Sequence, residues 1–366
     1  MNKTKILKIL TIIITIVSTC KIFNNVTYAE SYTPGVEYAC RVGDEYFRTF
    51  SDFISSQWMF QNNSETIIEI LQPEIEISNR VELYIKEITF TTASSEGEYP
   101  YQGEPGTKAK FVRGENYTGQ MFYFNSKDAH FGFENIIVDG GWKEDHTGIQ
   151  STAPLIGIDG QSILVLKSGA VLQNNINTGT TACAGAIYCV SGTVVAEKDT
   201  VIQNCCAAYG GGITVATGSL TTNGLTIQKC YSTNESRRNA SAIEFSTYGV
   251  TFECSGLVVK ECAAINATED GAAIEMDKGN LNFIKSDDPD LKIEITNNYS
   301  ASTGGGVLQY TEAQYTDNYS NINIGTDLVI DNNYKNCTFD GFNIASTGDE
   351  SNFVIDRPEK VNITTN

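Results

Sequence analysis

Histidine is almost missing from this chain: His130 and His146 are the only two in 366 residues. That scarcity excludes histidine-rich metal centres and leaves two positions for any catalytic triad. Cations are also short, with 25 Lys and Arg against 44 Asp and Glu, a formal net charge of −19. A surface of that sign repels phosphate backbones and anionic lipid, so nucleic acid is not an expected partner. There is no CxxC spacing with matching histidines, which disfavours a zinc site. No apolar run reaches the about 20 residues that a membrane-spanning helix needs. No amphipathic period of 3.6 residues competes with strand patterning in the body of the chain.

What is present first is a leader. Lys3, Lys5 and Lys8 precede an apolar run from Ile9 to Val17 and a polar stretch ending Val-Thr-Tyr-Ala at Ala29, the layout of a signal peptide. Cleavage after Ala29 is expected. A competing reading takes Val17-Ser-Thr-Cys20 as a lipobox with Cys20 lipidated, although Thr19 replaces the small Gly or Ala such boxes prefer; only then is a membrane a partner. Residues 1–29 hold four lysines and no acid, so the mature chain carries 21 basic and 44 acidic residues, a net of −23. Nine cysteines remain: Cys40, Cys183, Cys189, Cys205, Cys206, Cys230, Cys254, Cys262 and Cys337. Export permits disulfides, but an odd number leaves at least one thiol free or paired between chains.

Self-similarity sets the architecture. One recurring segment is an apolar triplet, then polar residues, then Asn or Cys: Ala170–Asn175, Thr200–Cys205, Leu225–Cys230, Leu257–Cys262, Ile293–Asn298 and Leu328–Asn333. A second places small residues before an aliphatic one, at Ala184–Ile187, Gly210–Ile213, Ser241–Ile243, Gly271–Ile274, Gly304–Val307 and, in degenerate form, Gly341–Ile344. A third strand follows each, marked by Val194, Leu220, Val250, Leu281 and Ile322. The order is kept while the period drifts between about 25 and 37 residues, as in a repeat whose turns vary in length. The strands are rich in Val, Ile, Leu and Thr and are bounded by Gly, Asn, Asp and Ser.

The expected fold is all-β: a right-handed, single-stranded parallel β-helix, a solenoid with three short strands per coil. Residues 66–350 would form it, with residues 30–65 as an N-terminal cap and residues 351–366 as a tail. The cap includes a short helical pattern over Gly43–Gln57, with Phe47, Phe50, Phe53 and Ile54 on one face, suited to covering open strand edges. Stacked coils lie about 4.8 Å apart, so equivalent positions form columns. Asn175, Cys205, Cys230, Cys262, Asn298 and Asn333 are expected to form one interior ladder. The thiols would be small apolar fillers in it rather than redox or metal groups, because they lack activating partners.

At this point the residues resemble a known group. The stretch from Tyr46 to Phe90, Phe133-Glu-Asn-Ile-Ile-Val-Asp-Gly-Gly141, Gly169–Asn175 and Gly210-Gly-Gly-Ile-Thr-Val215 look like the pectin-lyase-like β-helix surface proteins of Firmicutes. The Gly-Gly-x-Ile and x-x-Asn segments are also similar to repeats of chlamydial polymorphic outer-membrane adhesins. The resemblance implies an extracellular or cell-surface, adhesin-like role in virulence, binding a host or bacterial surface glycan or protein. Asp356–Asn366 carries no LPxTG-type motif, so release or non-covalent retention is expected rather than covalent wall anchoring.

The same fold hosts polysaccharide lyases and hydrolases, so catalysis has to be argued from sites. Glu244 and Glu275 follow the aligned Ile243 and Ile274 and should project from one face in adjacent coils, close enough for paired-carboxylate glycoside chemistry. Tyr188, Thr214 and Leu308 occupy the same position in neighbouring coils, which makes an ordinary outward-facing, solvated ladder the expectation. Arg237 and Arg238, in the turn from Ser232 to Ala240, are a basic pair that reads as solvated. Asp287, Asp288 and Asp290 could attract calcium but lack the spaced ligands and glycine of a calcium loop. Trp142 and His146 share a loop with charged neighbours and are candidate ligand contacts, with Arg237 and Arg238. No cofactor is called for, and a non-catalytic binding protein is preferred over a lyase or hydrolase.

Overall fold

Three sets of short strands, each pairing with the strand one repeat later, make up the body of the protein. The computed structural model describes residues 28–179, 183–235, 239–246, 250–268, 271–276, 279–309, 321–355 and 358–364. The leader with Cys20, and Arg237 and Arg238, lie outside the described residues. Among those described, the chain is all-β with a single α-helix, and nearly all strand pairs of its one long sheet are parallel.

One repeat of this pairing is called a rung. The first ladder begins at Thr66–Ile70 and passes through Glu87–Thr92, His130–Glu134 and Ser162–Leu166. The second begins at Glu74–Ile77 and continues through Lys110–Arg113, Ile137–Asp139 and Val171–Asn177. The third begins at Val81–Glu82 and continues through Phe122–Asn125 and Ile156–Asp159. Alternation puts every second residue inside. The second ladder therefore buries Ile75, Phe111, Val138, Leu172, Ile202, Ile227, Val259 and Ile295 in one file. Early rungs are filled by Phe90, Phe111, Phe122, Phe124, Phe131 and Phe133, in mutual ring contact. Later rungs fill mainly with aliphatic side chains and cysteine, with Phe245, Phe252 and Phe283 as buried aromatic members.

Each interior Asn or Cys follows the same bend. Asn174, Asn204, Lys229, Glu261, Asn297 and Asn332 have φ between 49° and 59°, the left-handed region that Asn tolerates better than most residues. The bend turns the next side chain inward, and Asn175, Cys205, Cys230, Cys262, Asn298 and Asn333 are all fully buried. Small residues in the second motif have an equally local cause. A Cβ on Gly211 would meet the carbonyls of Ser241 and Tyr231, and one on Gly305 the amide of Tyr334, so the close approach of main chains requires glycine there.

Three expectations need adjusting. The helix spans only Phe50–Ser56, capped by a reciprocal Thr49–Asp52 pair at 3.0 and 3.1 Å; the preceding residues instead make a hairpin, Cys40–Val42 with Glu45–Phe47, through a turn at Gly43 with φ of 57°. Gly341–Ile344 is not a member of the third ladder. It belongs to a separate antiparallel hairpin, Thr338–Asp340 with Asn343–Ser346, and Phe353 takes the place beside Val307. Past residue 350 the pairing continues, as Phe353–Ile355 and Val361–Ile363 add parallel strands.

Candidate functional site

Glu244 and Glu275 stand directly beside each other on neighbouring strands, in register with Tyr188, Thr214 and Leu308. Their surroundings differ from the expectation of a solvated outer face: Glu244 is 3% and Glu275 1% exposed. The cause is chain lying across this face. The amide of Asn239 donates to Glu275 Oε2 at 2.8 Å, and Thr214 Oγ1 donates to the carbonyl of Cys183. A polymeric sugar has no access to carboxylates buried this way.

The Asp287–Asp290 turn is not vacant either. Lys198, ninety residues earlier, places Nζ 2.8 Å from Asp288 Oδ2 and 3.6 Å from Asp290 Oδ2. That ammonium, hydrogen-bonded to Asp288, holds its carboxyl below the ordinary value. No cluster of three His, Cys, Asp or Glu side chains disposed to hold a metal ion occurs among the described residues.

The interior ladder is a hydrogen-bonded device. Asn298 Nδ2 donates to the carbonyls of Val259 and Thr296 at 3.0 and 3.2 Å and to Asn333 Oδ1 at 2.9 Å. Asn333 repeats this toward Ile295, Asp331 and Asn352, so Asn352 extends the column by one member that the sequence pattern missed. Cys205, Cys230 and Cys262 carry free thiols, each donating to the carbonyl two residues back at 3.3, 3.5 and 3.4 Å. Burial pushes the Cys230 and Cys262 thiols far up, which makes them poor nucleophiles. Asn175 is held differently, accepting from Arg113 Nη2 and Ser151 Oγ, both at 3.0 Å. Arg113 had no signal in the sequence. It is 3% exposed, lies 5.8 Å from the Tyr117 ring, and its guanidinium is pulled down to about 10 by burial.

The remaining candidates, Trp142 and His146, come together on one flank. Trp142 is buried on Ile176 and Cys206, so it is a platform rather than a face open to ligand. His146 is half-buried, 5.1 Å from Trp142 between ring centres. It is held in a left-handed conformation with φ of 64° by a tight loop in which its amide donates to the Lys143 carbonyl at 2.8 Å. Burial, opposed by Asp145, holds its imidazole below the ordinary value. Phe342, at the tip of the late hairpin, folds back to stack on His146 at 4.3 Å and to meet Tyr231 edge-on at 5.1 Å.

These rings border a cleft of about 310 Å³. Its floor follows from register: Tyr231, Ala263 and Tyr299 are consecutive members of one file, so the alanine methyl leaves a slot between two phenol rings. Asn204 and Glu261 add polar groups, and Lys229 with Glu144 forms a 3.4 Å ion pair at the rim. No family model matches the chain, and no match was found among curated proteins or solved structures.

Proposed function

We propose that the protein is an exported right-handed parallel β-helix that binds a surface glycan on one flank without catalysis. The rung-to-rung parallel pairing and the drifting period support the helix. The leader and the resemblance to surface-displayed relatives support export and an adhesin-like role. The aromatic cleft beside Ala263 carries the binding reading. It combines ring faces with two amides, two carboxylates and one ammonium, the mixture of apolar walls and a few polar groups typical of small-ligand sites. Its volume of about 310 Å³ lies at the small end of the range for such sites and suits a sugar unit or two rather than a protein interface, which covers roughly 800 Å² on each partner.

Titration of neutral and acidic oligosaccharides by calorimetry tests this. Tyr231→Ala and Phe342→Ala should each weaken the bound sugar about tenfold, the scale of one lost ring contact. Unchanged affinity in the double variant, or new reducing ends accumulating in the cell, would sink the proposal. N-terminal sequencing of exported protein distinguishes a start at Glu30 from a lipidated Cys20.

A further inference from the structure

The starts of the three ladders are treated unequally. The open edge of Thr66–Ile70 is covered by Cys40–Val42 in antiparallel pairing, reinforced by Arg41 donating to both oxygens of Glu69 at 2.7 and 3.0 Å. The edge of Val81–Glu82 is closed by a side chain: Gln57 Nε2 donates to the Glu82 carbonyl at 3.3 Å and Gln57 Oε1 accepts from the Tyr84 amide at 2.8 Å. Among the described residues, Glu74–Ile77 has no such cover. Among those residues it pairs only with Lys110–Arg113, and the bonds from Lys110 to the Pro73 carbonyl and from Gly114 to the Ile77 carbonyl show which residues face that partner. Parallel strands direct alternate residues to opposite sides, so Glu74 and Glu76 turn their main-chain groups outward.

A groove of about 520 Å³ runs along this edge. Phe50 and Ile54 of the helix form its far wall, Ile75 and Val81 its base, and Arg48 and Arg80 its ends. Both arginines are already paired, Arg48 with Glu30 and Arg80 with Glu82. Glu74 is paired with Lys110 at 2.9 Å. Glu76 is exposed, accepts from Ser78 Oγ, and has no cation within ion-pair distance among the described residues.

We propose that this groove takes an extended peptide of a partner protein as an added strand, about four residues long to match the edge. Strand addition supplies main-chain hydrogen bonds, and alternate side chains set selectivity. A residue beside Ile75 points inward, against Phe50 and Ile54, and must be apolar. Residues beside Glu74 and Glu76 point outward, and the one over Glu76 must be basic, just as Lys110 already answers Glu74 across the next strand. The selected pattern is therefore polar or basic, then apolar, then basic. A second copy fits poorly. The far end of the same ladder is Val329–Asp331, and continuing the register would set Asp331 over Glu76, between chains that each carry −19.

The test uses fluorescence polarisation with a labelled Thr-Lys-Val-Lys-Thr peptide, full-length protein and the exported form. We expect binding to the exported form, at least tenfold weaker binding of the Thr-Glu-Val-Glu-Thr peptide, loss on N-methylation of the edge-facing peptide amides, and reversed charge preference in Glu76→Lys. Glu76→Pro removes only an outward-facing amide and should abolish binding with the protein still folded by circular dichroism. Equal binding of the two peptides, or insensitivity to both Glu76 variants, would overturn the proposal. So would a dimer in sedimentation that Glu76→Pro dissolves, which assigns the groove to a second copy. Binding by the exported form that is absent in full-length protein assigns it to the chain's own leader and overturns the partner reading as well.

Discussion

One interior column is built in two ways. From Cys205 to Cys262 it is made of thiols, and from Asn298 to Asn352 of amides, yet both kinds donate to the carbonyl two residues back. The amide does more. Asn298 Oδ1 accepts the amide of Cys262, and Asn333 Oδ1 that of Asn298, each at 3.1 Å, so asparagine rungs are joined by short amide bonds, while Cys262 reaches the rung before it by a weaker thiol bond to the Ile227 carbonyl at 3.8 Å. A thiol is a weak donor of nearly apolar character.

The largest separation between the two stretches should come with alkali. Burial pushes the Cys254 thiol, like that of Cys189, to about 12, and an unfolded thiol titrates near 8.5. These two folded thiols, and those of Cys230 and Cys262 that burial also pushes up, therefore stay protonated where unfolded ones ionise: stability is complete below about pH 8.5 and falls as pH rises from there toward 12, by up to about 1.4 kcal/mol per thiol per pH unit. Urea midpoints at pH 7.5 and 10 measure the slope. Cys230→Ala with Cys262→Ala should flatten it, and an unchanged slope would contradict the burial of those thiols. At neutral pH the order reverses. Asn298→Ala strands the Cys262 amide and the Val259 carbonyl and should cost about 3 kcal/mol. Cys230→Ala should cost about 1 kcal/mol, a small cavity and one weak bond. Equal losses in chemical denaturation would erase the distinction between rungs joined by amides and rungs joined by thiols. The smallest effect concerns the bends before the thiols. Lys229 and Glu261 adopt φ of 50° and 55° where the asparagine rungs have Asn, so Lys229→Asn should raise stability by about 0.5–1 kcal/mol in the same assay.

The column was legible in the sequence because it repeats: Asn or Cys after an apolar triplet recurs at six positions, and all six are buried together. Glu244 and Glu275 show where such reasoning stops. Alternation assigned them to the outer face and register set them side by side, but periodicity carries no information about chain folded across that face. Gly341–Ile344 mimicked the small-small-aliphatic motif, and only the observed pairing of Val307 with Phe353 reveals which residue belongs there. Arg113 sits one step after Phe111 and Val112 in an ordinary-looking strand, and its burial depends on Asn175, sixty-two residues away. The uncovered edge of Glu74–Ile77 was likewise invisible, because it is defined by what Gln57 and Cys40–Val42 cover nearby.

The hairpin bearing Phe342 has a consequence for the order of folding. Neighbouring rungs close loops of 22 to 46 residues, so pairing can nucleate at several points and spread. The contact of Phe342 with Trp142, at 5.3 Å, joins residues two hundred positions apart. The entropic penalty of that longer closure is only about 2 kcal/mol, since it grows logarithmically, but the geometry demands that every intervening rung already be in place. The aromatic clamp is therefore a late step of folding and an early one to open. Its closure reports that the whole intervening stack has been laid down without error.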